Sequence, residues 1–219
     1  MPAVWHLFCA IVLFVAGAKA PAHGQSAAPD SRGISSPTDP ILPAVQAATR
    51  QMIDSRQIAG AVVLVAQSGE VVHFNAQGMQ DIERQVPMQR DTLFRIYSMT
   101  KPVTSVAVLI LMEQGLLELD DSIAQHLPEF ANLEVYRSRQ RRTRLRSAVT
   151  IRDLLRHTSG MTYGFFSDGP VDKLYMEDHP LYSPDQDTMI QKMARLPLTQ
   201  QPGKSWEYGM STDVLGALV

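Results

Sequence analysis

Residues 103–111 are apolar on nearly every side of a helix: Val103, Val106, Ala107, Ile110 and Leu111 recur at helical intervals, and the run stops at Gly115. A helix with no polar face has to be surrounded, so the fold must bring other layers around it, and its N-terminus becomes a rigid platform for a side chain. One such layer precedes it. Residues 61–66 form an apolar run rich in valine, Ser68-Gly69 makes a tight turn, and residues 71–74 resume the pattern, which predicts an antiparallel hairpin.

Further elements follow from the same periodicities. Val45, Ala48, Met52 and Ile53 predict a helix over residues 45–58, with Gly60 as its stop. Thr150 with Asp153 predicts a capped helix that ends near His157, with Gly160 as its stop. Ser183-Pro184 caps another helix that runs to about Leu196, and Pro202-Gly203 turns the chain into Trp206-Glu207-Tyr208. A last helix begins at Ser211-Thr212-Asp213, and there is no internal repeat.

Ahead of these elements, residues 1–24 carry an apolar run over residues 7–16 followed by small residues at Ala18, Ala20 and Ala22, the pattern of a secretory leader whose apolar part is too short to span a bilayer. Residues 25–42, rich in Ser, Pro, Ala and Asp, are expected to form a flexible linker, and residues 43–219 the folded domain. The expected location is therefore periplasmic or secreted. The only cysteine, Cys9, lies in the leader, which excludes a cysteine nucleophile, a disulfide or a thiolate metal site from the mature chain.

Six arginines fall within residues 137–146; the remainder holds 14 basic against 22 acidic residues, a balance of −8, which leaves no general footprint for nucleic acid. The arginine segment, Arg137, Arg139, Arg141, Arg142, Arg144 and Arg146, is read as an exposed loop, either simply solvated or in weak contact with an anionic cell-envelope component.

The chemistry centres on Ser98-Met99-Thr100-Lys101. Three residues apart on a helix, the Ser98 hydroxyl and the Lys101 amine share a face. An amine desolvated in the core loses pKa, and a neutral Lys101 can then take the Ser98 proton as the oxygen attacks. The helix N-terminus favours the developing negative charge, and Pro102 is harmless in the first turn. Alone, such a tetrapeptide also fits an ordinary helix cap.

In its surroundings, 94–102 (FRIYSMTKP) resembles the nucleophile segment of the serine hydrolase family that contains class C β-lactamases, D-alanyl-D-alanine carboxypeptidases and related esterases. Four further stretches resemble the same family in order: 115–121 (GLLELDD), 151–160 (IRDLLRHTSG), 202–208 (PGKSWEY) and 211–216 (STDVLG). The resemblance implies a mixed α/β fold of the β-lactamase/transpeptidase type, an antiparallel sheet flanked by helices with a mostly helical region. It also implies an acyl-enzyme on Ser98 and a second catalytic element bearing Tyr208, which shares a proton with Lys101. Where most β-lactamases and carboxypeptidases have an asparagine two positions later, this chain has Met210. That departure points to the esterase branch and a small ester or amide substrate.

No cofactor is implied, and His73, His126 and His179 show no metal-ligand spacing. His157 is read as a satisfied helix-end histidine outside the site. In the resembled family a later strand carries a third motif and one backbone N–H of the oxyanion hole; these 219 residues contain no such strand after Tyr208, which leaves the Ser98 N–H. Three readings stay open: a carboxylesterase, a β-lactamase or D-Ala-D-Ala peptidase of the same fold, and a catalytically inactive fragment or binding protein.

Overall fold

The computed structural model describes residues 41–138 and 141–219. The expected leader, and the expected linker up to Pro40, lie outside the described residues. The chain divides into two compact units, Met1–Tyr97 and Ser98–Val219.

In the first unit, helix α1 spans Ile41–Asp54. It starts four residues earlier than its periodicity suggests and takes in the end of the expected linker. Val45, Thr49 and Ile53 face inward, one turn apart, whereas Ala48 and Met52 point to solvent. The helix packs against strand β2, Glu70–Asp81, which pairs antiparallel with β1, Gly60–Gln67, from Gly60 opposite Gly78 to Gln67 opposite Glu70. Ser68 and Gly69 both have positive φ, 53° and 85°, the two-residue turn that matches strand twist and fixes the hairpin register. A two-residue strand β3, Val86–Pro87, completes the order β1-β2-β3. Gly60 is not the helix stop its position suggests but the first residue of β1. A Cβ there would lie 2.7 Å from the Met79 carbonyl, so glycine lets the two backbones pass.

Among the described residues, every fully buried large apolar side chain belongs to the second unit. Helix α2, Thr100–Glu113, packs against α7, Ser211–Leu218, and this contact buries Val108 and partly covers Leu111 and Met112. Within this unit α7 lies along one side of α2, and Val103, Val106 and Ile110 are 63%, 54% and 47% exposed. Short helices α3, Ile123–His126, and α4, Ile151–Leu155, follow, with a hairpin between them.

That hairpin is the arginine segment. Strands β4, Glu134–Ser138, and β5, Arg141–Arg144, pair antiparallel, so the stretch read as a loop is a β-ribbon. Its anchor is not charge but Val135, fully buried beside Leu198, with the Tyr136 N–H donating to the Leu198 carbonyl at 2.9 Å.

The Thr150 capping box forms as its spacing predicts: Asp153 N–H donates to Thr150 Oγ1 and Thr150 N–H to Asp153 Oδ2, each at 3.1 Å. Helix α4 ends at Leu155, and the first left-handed residue behind it is His157, φ 54°, with Gly160, φ 86°, further along the same turn. Helices α5, Pro170–Glu177, and α6, Gln186–Arg195, complete the unit. The cap of α6 is Asp185, whose carboxylate accepts from Thr188 N–H at 2.7 Å, not Ser183-Pro184.

Candidate active site

Ser98 sits in a single 3-10 turn, Tyr97–Met99, directly before α2. Tyr97 adopts φ 45°, a left-handed conformation uncommon for a side chain of its size, and so turns the chain sharply at the hydroxyl-bearing residue. Lys101 is the second residue of α2, and its Nζ donates to Ser98 Oγ at 3.4 Å. From 110 residues away, the Tyr208 hydroxyl donates to the same Oγ at 2.7 Å. The three residues singled out in the sequence therefore meet at one oxygen.

Tyr208 is held from behind by the turn after α4. Glu207 N–H donates to the His157 carbonyl and Thr199 N–H to the Gly160 carbonyl, both at 2.8 Å. The buried hydroxyls of Ser159 and Ser211 share a 2.8 Å bond. Gly209 permits the closest approach: a Cβ there would sit 2.0 Å from the Met161 carbonyl oxygen. The His157 ring packs 5.0 Å from that of Tyr208. Its Nδ1 is buried without a partner among the described residues, so the histidine occupies the expected helix end but is not satisfied at that atom.

Two groups escaped the sequence reading. Tyr163 donates its hydroxyl to Asp213 Oδ2 at 3.1 Å, and Lys101 Nζ lies 5.3 Å from the Tyr163 ring centroid and 4.9 Å from that of Tyr208. The lysine is thus bracketed by two phenols with a carboxyl beyond one of them. Met210, in the asparagine position, is fully buried in the core and offers the site nothing. No local signal marks Tyr163, because its partner lies 50 residues away.

This bracket acts against the depressed pKa expected for Lys101 from burial alone. Burial does push its pKa down, but hydrogen bonding and charge interactions with Tyr163 and Tyr208 more than offset that, and the net displacement is upward from 10.5. Tyr208 moves the other way: burial opposes its ionisation, yet the bonds with Ser98 and Lys101 and the lysine's charge carry its pKa below 10.0. Tyr163 is pushed up to about 12, chiefly by burial, and stays a phenol. Burial also raises Asp213 above 3.8, and it lowers His157 below 6.5 with help from the Lys101 charge.

The other histidines among the described residues lie apart from Ser98 and Lys101 in the bonds they make. His126 Nε2 is 3.0 Å from Asp121 Oδ2. His179 donates from Nε2 to the Tyr163 carbonyl at 2.8 Å and accepts the Leu181 N–H at Nδ1. His73 is buried on β2. Among the described residues no group of three or more His, Cys, Asp or Glu could hold a metal ion, and no helix is long and apolar enough to cross a membrane.

A strained turn carrying a serine, a lysine one helical turn on and a tyrosine brought in by a distant loop define the class to which comparison with known proteins also leads. Residues 45–219 match the beta-lactamase family, and the chain belongs to that family, with the mixed α/β fold its motifs imply. The esterase EstB of Burkholderia gladioli is 40% identical over 176 residues, 77% of this chain and 42% of EstB. The solved structure of EstCE1, described as a hydrolase with promiscuous acyltransferase activity, matches with TM-score 0.68 and 35% identity over 80% of this chain and 45% of that one. Unliganded simvastatin synthase (LovD) from Aspergillus terreus matches with TM-score 0.69 and 31% identity over 83% of this chain and 48% of that one. The chain spans less than half the length of each.

Proposed function

We propose that this chain carries the nucleophile of a carboxylesterase that works through an acyl-enzyme on Ser98. The observation behind it is the convergence of Tyr208 Oη and Lys101 Nζ on Ser98 Oγ, at 2.7 and 3.4 Å. As a phenolate, Tyr208 takes the hydroxyl proton while Ser98 Oγ bonds to the ester carbonyl carbon, and the Lys101 ammonium stabilises the phenolate throughout. The Ser98 N–H is the oxyanion donor this chain supplies. Tyr208 then returns the proton to the departing alkoxide; a water deprotonated by the same phenolate bonds to the acyl carbon, and the C–Oγ bond breaks as Tyr208 returns that proton to Ser98 Oγ and the acid leaves. Lys101 acts as a fixed cation rather than as the base.

Ester rather than lactam turnover is favoured by the burial of Met210, which leaves no amide beside Lys101 to bind a substrate amide. We expect p-nitrophenyl butyrate to be turned over at least ~100-fold better than nitrocefin in kcat/KM, about the loss that follows removal of one positioned polar group. A preference for nitrocefin overturns the ester assignment and returns the β-lactamase or D-Ala-D-Ala peptidase reading. Absence of any Ser98-dependent reaction returns the inactive binding protein. The likeness to EstCE1 and simvastatin synthase favours a second fate for the same acyl group, transfer to an alcohol, which added methanol would reveal as methyl butyrate. The leader at residues 1–24 is the basis for proposing action in the periplasm or outside the cell.

A further inference from the structure

A cleft of about 450 Å³ opens beside Tyr208, on the second unit alone. Its apolar wall is aromatic. The Phe166 and Tyr208 rings are 5.9 Å apart at 49°, the Trp206 and Tyr208 rings 6.1 Å apart at 18°, and Phe166 and Trp206 are each about two-thirds exposed, so their faces are open to a ligand. Its polar lining includes two carboxyls, Asp172 and Glu207.

Both are held by neutral donors. Asp172, 5% exposed, accepts from the Thr162 hydroxyl at 2.8 Å and from the Ser167 hydroxyl, and Glu207 accepts from the Thr199 hydroxyl. Neither takes part in an ion pair among the described residues, and no Lys, Arg or His lines the cleft. Lys101 bonds to Ser98 and stands outside the lining. Burial raises the Glu207 pKa above 4.5, the displacement of a carboxyl that lacks a cation.

We propose that this cleft binds an alkylammonium group, quaternary or protonated, carried by the molecule that reacts at Ser98. Aromatic faces attract such a cation through their quadrupoles, and unpaired carboxyls at the same site add charge complementarity that a neutral group of equal shape cannot use. The same carboxyls repel substrates with a free carboxylate, the charge common to penicillins and to peptides that end in D-alanine. This assignment deepens the esterase reading and takes from it only the position of the reacting bond.

The test is calorimetric titration of the Ser98→Ala chain with choline and with 3,3-dimethylbutan-1-ol, which replaces the charged nitrogen by carbon. Choline should bind at least ~10-fold tighter. Trp206→Leu, a change at an exposed position, and Glu207→Gln should each remove most of that preference. Equal affinity for the two probes, or a choline preference untouched by both substitutions, overturns the assignment. Hydrolysis plays no part in this measurement. Choline binding without any labelling of Ser98 by an activated phosphonate keeps the cleft and loses the esterase, whereas labelling without a choline preference loses the cleft alone.

Discussion

Tyr208 owes its position to the residue behind it. Gly209 passes so near the Met161 carbonyl that any side chain must push the two strands of chain apart. Gly209→Ala should cost about 1–3 kcal/mol by overpacking, read as a lower thermal midpoint. By displacing the phenol from Ser98 it should also cut kcat by roughly 100-fold. An unchanged midpoint would mean that the close approach is relieved at no cost. The phenol and the ammonium also make a pH prediction. In the proposed mechanism Tyr208 works deprotonated, and its pKa is held below 10.0 partly by Lys101, so kcat/KM should rise with pH through a limb below that value. Since Lys101 is displaced upward from 10.5, its own loss of charge should not depress the rate until above that pH. Lys101→Met removes the cation, and the limb should move to higher pH; a limb that stays in place would show that the lysine does not set it. Ser98 and Lys101 were legible because their spacing is local, and Tyr208 because a resembled segment leads to it. Tyr163 and Asp213 were not, since only the fold joins residues 50 positions apart. The upward displacement at Lys101 was hidden for the same cause: burial is a local expectation, but the two phenols that act against it arrive from elsewhere.

At the level of elements, the Thr150 capping box was readable, whereas the α6 cap at Asp185, the ends of α1 and α4, and the burial of α2 were not. The Thr150–Asp153 box closes as spacing requires, so Thr150→Ala should lower unfolding free energy by about 1 kcal/mol in a denaturant titration. A loss near zero would show that the turn is held by its tertiary bonds alone. Helix α2 is the opposite case. Its composition asks for a surrounded helix, but within the second unit α7 lies along one side, and Val103, Val106 and Ile110 form an exposed apolar stripe. The chain should therefore enhance the fluorescence of anilinonaphthalene sulfonate, and Val103→Ser with Val106→Ser should reduce that signal while shifting stability by no more than about 0.5 kcal/mol per site. Dye binding indifferent to these changes would place the apolar surface elsewhere. The arginine ribbon was missed because its charges hide strand periodicity. The residues that fix it, Val135 and Leu198, are 63 positions apart, and a partner so distant leaves no trace in a window of sequence.

For the molecule as a whole, family membership was legible from five short stretches in order, and the match over residues 45–219 bears it out. The division at Tyr97 was not anticipated, yet it has a functional consequence: every side chain of the candidate site, from Ser98 to Asp213, comes from the second unit. The central claim is that Tyr208 and Lys101 activate Ser98. The most direct measurement is the rate at which a fluorophosphonate modifies the chain at pH 7.5, with the adduct located by peptide mass spectrometry, since only an activated serine attacks phosphorus at neutral pH. A single adduct on Ser98, absent in Ser98→Ala and formed at least ~100-fold more slowly in Tyr208→Phe, is the predicted result. An adduct on another serine, or a Ser98 rate unaffected by loss of the Tyr208 hydroxyl, would contradict it.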